Sequence, residues 1–173
     1  MRLESFRCHA MGPFRDFEVD LTRLAGPLVA VTGENGAGKT TFLELAVPGA
    51  LYRETPTRGS LVELATARDA FFESTQVHGA HRWTFRHTAD VVSKKSEAVV
   101  LDDGGRPVLP DSKVKSFDAW AAKNLPLPEV LYASVFASQG ATGFLGAKPS
   151  ERKAVLLRVL GIERIERQAE QAR

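Results

Sequence analysis

The sequence predicts an α/β fold organised around a phosphate-binding loop, on three observations. A short apolar run, LVAVT at 28–32, leads directly into GENGAGKTT at 33–41, and helix-forming residues follow. Apolar and polar residues alternate with period two through residues 2–21 and again through 69–109, with glycine-bearing turns between the runs. Beyond about residue 112 the pattern becomes helical and ends in a charged stretch with three-four-three apolar spacing. The expected architecture is a mixed sheet around the loop, an antiparallel β layer beside it, and a C-terminal helix that starts a coiled coil. The expected division is 1–161 for the globular part and 162–173 for the beginning of the coil.

Taken in order, residues 2–8 form a strand, Met11-Gly12-Pro13 a turn, and FRDFEVDL a second strand in which Phe17, Val19 and Leu21 alternate with charges. LVAVT is continuous and β-branched, as in a strand buried on both faces. The helix after Lys39 should end or kink near Val47, because Pro48 lacks an amide donor and clashes with the preceding turn. Three antiparallel runs follow between 69 and 109, separated at His78-Gly79 and at Asp103-Gly104-Gly105. Residues 112–124 read as a helix closed by Pro126 and Pro128, whereas 130–140 fit strand or helix by period alone. Ser150 can cap a helix over 151–160 with Val155, Leu156, Val159 and Leu160 on one stripe, and Gly161 permits a bend. Ile162, Ile165, Ala169 and Ala172 then sit at seam positions of a coiled coil, a pattern that an ordinary amphipathic helix shares over so few residues.

Composition bounds the classes. At 173 residues and 43% hydrophobic, the chain can bury one sizeable core. No apolar run approaches the roughly 18 residues of a membrane span, and MRLESFRCHA has charges where a secretory signal has its apolar stretch, so a cytoplasmic protein is expected. The single cysteine, Cys8, fits a buried strand position in a reducing compartment. A net charge of +2 is too small to indicate nucleic acid by itself.

Gly33, Gly38, Lys39 and Thr40 match G-x-x-x-x-G-K-[ST] without a mismatch. Glycines let backbone amides curl around a β-phosphate, and Lys39 would place a cation between β and γ oxygens. The Thr40 hydroxyl would bind magnesium, and the helix that begins here offers its positive dipole end. Residues 35–41, namely Asn35, Gly36, Ala37, Gly38, Lys39, Thr40 and Thr41, are the expected nucleotide contacts.

MGPFRDFEVDL, GENGAGKTTFLELA and SVFASQGATGFLGAKPSERKAVLLRVLGIERIE resemble the N-terminal half of the SbcC-type ATPases, SMC-like members of the ABC ATPase superfamily that act in DNA double-strand-break processing. The segment around Gln139 is the most specific, and the resemblance is weak between about 53 and 128. It implies the N-terminal lobe of an ABC-type head, with ATP and Mg2+ as cofactors. It makes Gln139 the Q-loop glutamine beside magnesium, catalytic together with Lys39, and Arg15 the arginine that faces the phosphates. It places Glu63 to Ala65 near the base. It implies a C-terminal half of the same ATPase, a second head, an SbcD-type nuclease and DNA as partners, at the nucleoid. Pro48 departs from the family pattern. The signature loop, the strand ending in Asp-Glu and the switch histidine of such a head do not follow Gln139, so little hydrolysis is expected without a C-terminal half.

Other readings stay open at this level. VVLDDGG at 99–105 could supply a magnesium-shell carboxylate, Asp102 or Asp103, to a self-contained small kinase or nucleotide hydrolase, although the two glycines are turn chemistry. A third reading is an interaction module that keeps the loop as a structural anion site. His78, His81 and His87 lack the four-ligand pattern of structural zinc. Arg82, Arg86, Lys94 and Lys95 make a hairpin face that could meet DNA phosphates or be merely solvated.

Overall fold

The computed structural model describes residues 1–24, 28–55, 60–137, 146 and 148–159. Five strands form one antiparallel sheet in the order β2-β1-β3-β4-β5. They are β1 (Arg2–Met11), β2 (Phe14–Asp20), β3 (Ala70–His78), β4 (His81–Ala89) and β5 (Ser96–Leu101). The hairpins follow their turn chemistry: Gly12 and Gly79 adopt φ of 56° and 61°, which closes β1–β2 and β3–β4. Alternation assigns the faces. Phe6 and Cys8 of β1, Phe72, Ser74 and Gln76 of β3, Phe85 and His87 of β4, and Ala98 and Val100 of β5 all lie inward and buried.

Helical segments cover that inner face. After α1 (Lys39–Glu44) the α-helix is interrupted around Val47, as expected from Pro48, without the helical path ending there. It passes through a π-helical turn, Leu45–Gly49, into α2 (Ala50–Tyr52). The wider turn admits Pro48, which is fully buried, and polar side chains of the sheet claim carbonyls of the segment. Ser74 Oγ and Gln76 Nε2 both donate to Ala46 O at 2.7 Å, and His87 Nε2 donates to Ala50 O at 2.9 Å. Three polar residues at inward strand positions are thereby explained, since a buried carbonyl left unpaired is costly. Helix α3 (Val114–Asn124) packs on β5 and α2, with Phe117 fully buried against the His87 ring.

The mixed sheet is not found among the described residues. Residues 28–32 form neither helix nor strand and pair with no strand among the described residues, and Leu28, Val29 and Val31 are 88%, 48% and 42% exposed. A parallel strand needs neighbours on both sides to hide its apolar faces, and the antiparallel sheet supplies none here.

The chain divides into two compact units, Met1–Leu125 and Pro126–Arg173. In the second, α4 (Pro128–Ser134) resolves the strand-or-helix ambiguity as helix, with Pro128 in its first turn. Helix α5 (Pro149–Val159) begins one residue before Ser150, which is therefore inside the helix rather than its cap, and Leu156 is exposed. The coil expected at 162–173 lies outside the described residues. Among the described residues, no helix is long and apolar enough to cross a membrane.

Candidate nucleotide-binding site

The loop lies between the unpaired segment 28–32 and α1. Gly36 and Gly38 take φ of 86° and 94°, values that glycine tolerates and other residues avoid, so the motif's glycines are needed for the backbone path itself. Gly38 is the N-cap of α1 with no side-chain cap, and the first helical bond runs from Phe42 N–H to Gly38 O at 2.8 Å. Asn35, Gly36, Ala37 and Thr40 are exposed, Gly38 and Lys39 partly so, and Thr41 is buried. The helix rotation that turns Thr41 into the core leaves the Thr40 hydroxyl outward, as magnesium coordination would require.

Lys39 Nζ donates to Gly33 O at 2.8 Å and to Glu34 O at 2.7 Å. A lysine ammonium is a compact cation with three donors, and here it clasps the loop's own carbonyls. Phosphate oxygens approaching the loop would compete for those donors with full negative charge, which makes the stronger, charge-assisted bond. Loop path, outward Thr40 and a lysine already aimed into the curl fit a nucleoside triphosphate with magnesium.

A second segment converges beside the loop. Ala10, in the left-handed region at φ 50°, turns its carbonyl to accept from Thr66 N and Thr66 Oγ1 at 2.9 and 3.0 Å. Gly12 N donates to Leu64 O at 2.6 Å, and Met11 bridges Ala65. The turn that precedes Arg15 is thus joined to residues 63–65, the stretch expected to border the base. Arg15 itself is exposed on β2. Gln139 lies outside the described residues.

The other candidates fall elsewhere. Asp102 Oδ1 accepts from Gly104 N and Arg106 N, both at 2.9 Å, and Oδ2 from Arg106 Nε at 2.9 Å, so this carboxylate organises the turn after β5. These bonds hold it below the usual carboxylate range, the Arg106 backbone amide contributing most. His87 is buried on the inner face, while His78 and His81 flank the β3–β4 turn, and no metal-ligand group is found among the described residues. Burial first, then the charge of the amino terminus, lowers the His78 pKa to about 4. On the outer face Arg82 pairs with Glu4 at 2.7 Å and Arg86 lies over the Phe71 ring at 4.8 Å. Of the expected hairpin cations, Lys94 and Lys95 stay exposed in the β4–β5 turn. Cys8 is buried, and burial, with a smaller contribution from Asp16, pushes its thiol up to about 12, so it is chemically inert.

Sequence reasoning missed the polar clasp on the π-turn and the role of the β1–β2 turn against the loop. Inward Ser74 and Gln76 on an otherwise apolar strand face were the available signal for the first.

No curated protein matches the chain. The pattern of the AAA domain family matches residues 1–117, which contain all five strands and the phosphate loop, and the chain therefore belongs to this family of phosphate-loop ATPases.

Proposed function

We propose that the chain binds ATP with magnesium through residues 33–41 as the N-terminal half of an SbcC-like DNA-repair ATPase head. The observation that supports this most is the loop itself, with Lys39 clasped to Gly33 O and Glu34 O immediately beside an apolar segment that pairs with no strand among the described residues. Strands supplied by a C-terminal half would cover Leu28, Val29 and Val31 and build the mixed sheet. On this reading Lys39 holds the β and γ oxygens, Thr40 and Gln139 serve the magnesium, and Arg15 approaches the phosphates from β2. Magnesium supplies charge neutralisation between the β- and γ-phosphates when bound. Two completed heads would close on two nucleotides, control DNA access and regulate an SbcD-type nuclease in the cytoplasm, at the nucleoid. Exposed Lys94 and Lys95 are the hairpin cations left to meet DNA phosphates.

The self-contained kinase or hydrolase, which would use Asp102 or Asp103, is disfavoured because Asp102 is committed to its turn through three hydrogen bonds and Asp103 faces Arg82 Nη1 at 3.5 Å. The test is ATP hydrolysis by this chain alone and after mixing with a separately supplied C-terminal half, each with Lys39→Ala. Turnover confined to the mixture and lost in the variant is expected. Equal, Lys39-dependent turnover without the partner would overturn the half-head reading.

A further inference from the structure

The phosphate loop is held from two sides, and one of them lies outside the motif. A Cβ placed on Gly38 would stand 2.6 Å from Phe14 Cζ, 2.9 Å from Phe14 Cε1 and 2.8 Å from Pro13 Cγ. Heavy atoms do not approach so closely, so the β1–β2 turn is pressed against the loop backbone where the loop becomes helix. The same ring continues into the core. Phe14 stacks on Phe17 at 4.9 Å, Phe17 meets Phe42 edge-on at 5.5 Å, and Phe42 meets the buried Phe6 at 5.3 Å. Phe42 lies one helical turn beyond Gly38 and bonds to its carbonyl. Both ends of the loop-to-helix junction therefore rest on one row of aromatic rings.

The two restraints differ in what nucleotide does to them. The Lys39 clasp is made of the loop's own carbonyls and would be exchanged for phosphate oxygens. The Phe14 contact involves no donor, acceptor or charge, and persists when phosphate binds. The turn that carries it is anchored away from the loop by Gly12 N to Leu64 O and by the pairing of Met11 with Phe14.

Resting on the nucleotide-binding reading of the loop, we infer that Phe14 is its positioning residue: packed with Pro13 on Gly38, it keeps the loop in its binding path without touching nucleotide. Removing the ring should raise the entropy that the loop loses on binding, since preorganisation lowers that cost.

The experiment is titration of the full chain with N-methylanthraniloyl-ATP and magnesium, alongside thermal unfolding without nucleotide. Phe14→Ala should weaken binding roughly tenfold, and Phe14→Leu, which refills most of the space, should stay within about threefold of wild type. The penalty of Gly38→Ala should be smaller in the Phe14→Ala background, because the clash with the ring is then gone and only the Pro13 contact and the strain of a positive φ remain. Phe117→Leu, on the buried side of α3, should lower the unfolding midpoint and leave affinity unchanged, which separates positioning from general loss of stability. Affinity of Phe14→Ala within twofold of wild type, while Lys39→Ala weakens binding roughly 10- to 100-fold, would overturn the positioning role and leave the loop reading standing. An equal loss of affinity in Phe117→Leu would also overturn it. No binding by the wild-type chain would overturn both.

Discussion

Between pH 7 and pH 5 the protein should lose stability through His87. The ring is 3% exposed, stacked 5.0 Å from Phe72 and edge-on 5.0 Å from Phe117. Nε2 donates to Ala50 O, and Nδ1 is buried without a partner among the described residues. Burial lowers the pKa from 6.5 to about 4, helped by the charge of Arg53 and opposed by the Ala50 hydrogen bond. The unfolded chain therefore takes up a proton near pH 6.5 while the folded chain stays neutral until about pH 4. More protons bind to the unfolded state across that window, so stability falls as pH falls. The whole difference corresponds to about 3 kcal/mol, of which about 2 kcal/mol is lost by pH 5. That is a large fraction of the 5–15 kcal/mol typical of a domain. His78, half-buried and also lowered to about 4, shifts stability in the same direction, so His87→Gln should remove part of the slope and leave the His78 share. His9 has the opposite sign: bonded to Asp16, its pKa is raised, so its small exposed contribution is present at low pH and lost as pH rises. Glu4, Asp20, Asp90, Asp102 and Asp111 are all lowered, so their contributions begin to be lost as pH falls into the ordinary carboxylate range and continue below it, beneath most of this window. The assay is the urea midpoint at several values from pH 7.5 to 5, for wild type and His87→Gln, whose amide can still donate to Ala50 O without titrating. A flat wild-type profile, or the same slope in His87→Gln, would refute the reasoning.

Three other outcomes are expected. Gly49→Ala would set a Cβ 2.9 Å from Glu44 O within the π-turn, and a backbone neighbour cannot swing away; a loss of about 1–3 kcal/mol in denaturant stability is expected, and an unchanged midpoint would show that the turn relaxes freely. Lys39→Ala should cut nucleotide affinity roughly 10- to 100-fold, the range of a lost charge-assisted bond, with little change in unfolding because the loop is exposed; calorimetry and a melting curve check the two parts. Val29→Glu with Val31→Glu should cost the isolated chain little stability, since both positions are about half exposed, yet abolish activity on mixing with a C-terminal half; sustained activity would mean that segment 28–32 is not covered by the partner.

Hairpins and loop were legible because their signals are local. Period-two alternation with Gly12 and Gly79 determined β1–β4, and Asp102 ahead of two glycines determined a turn, since each depends on a few adjacent residues. The G-x-x-x-x-G-K-T spacing likewise determined the loop path, because Gly36 and Gly38 must adopt positive φ there. Tertiary partners decided the rest. Pro48 reads as a helix end or kink, and the π-turn is chosen when Ser74 and Gln76 arrive from the sheet to take the Ala46 carbonyl and His87 that of Ala50 in α2. LVAVT reads as a buried strand, but burial of a strand is a property of its neighbours, and among the described residues it has none. Gly38 announces a positive φ by itself, whereas the contact with Phe14, 24 residues earlier, exists only once β1 and β2 have paired and turned that ring onto the loop. Local propensity can name a residue's backbone state; long-range packing chooses what it touches.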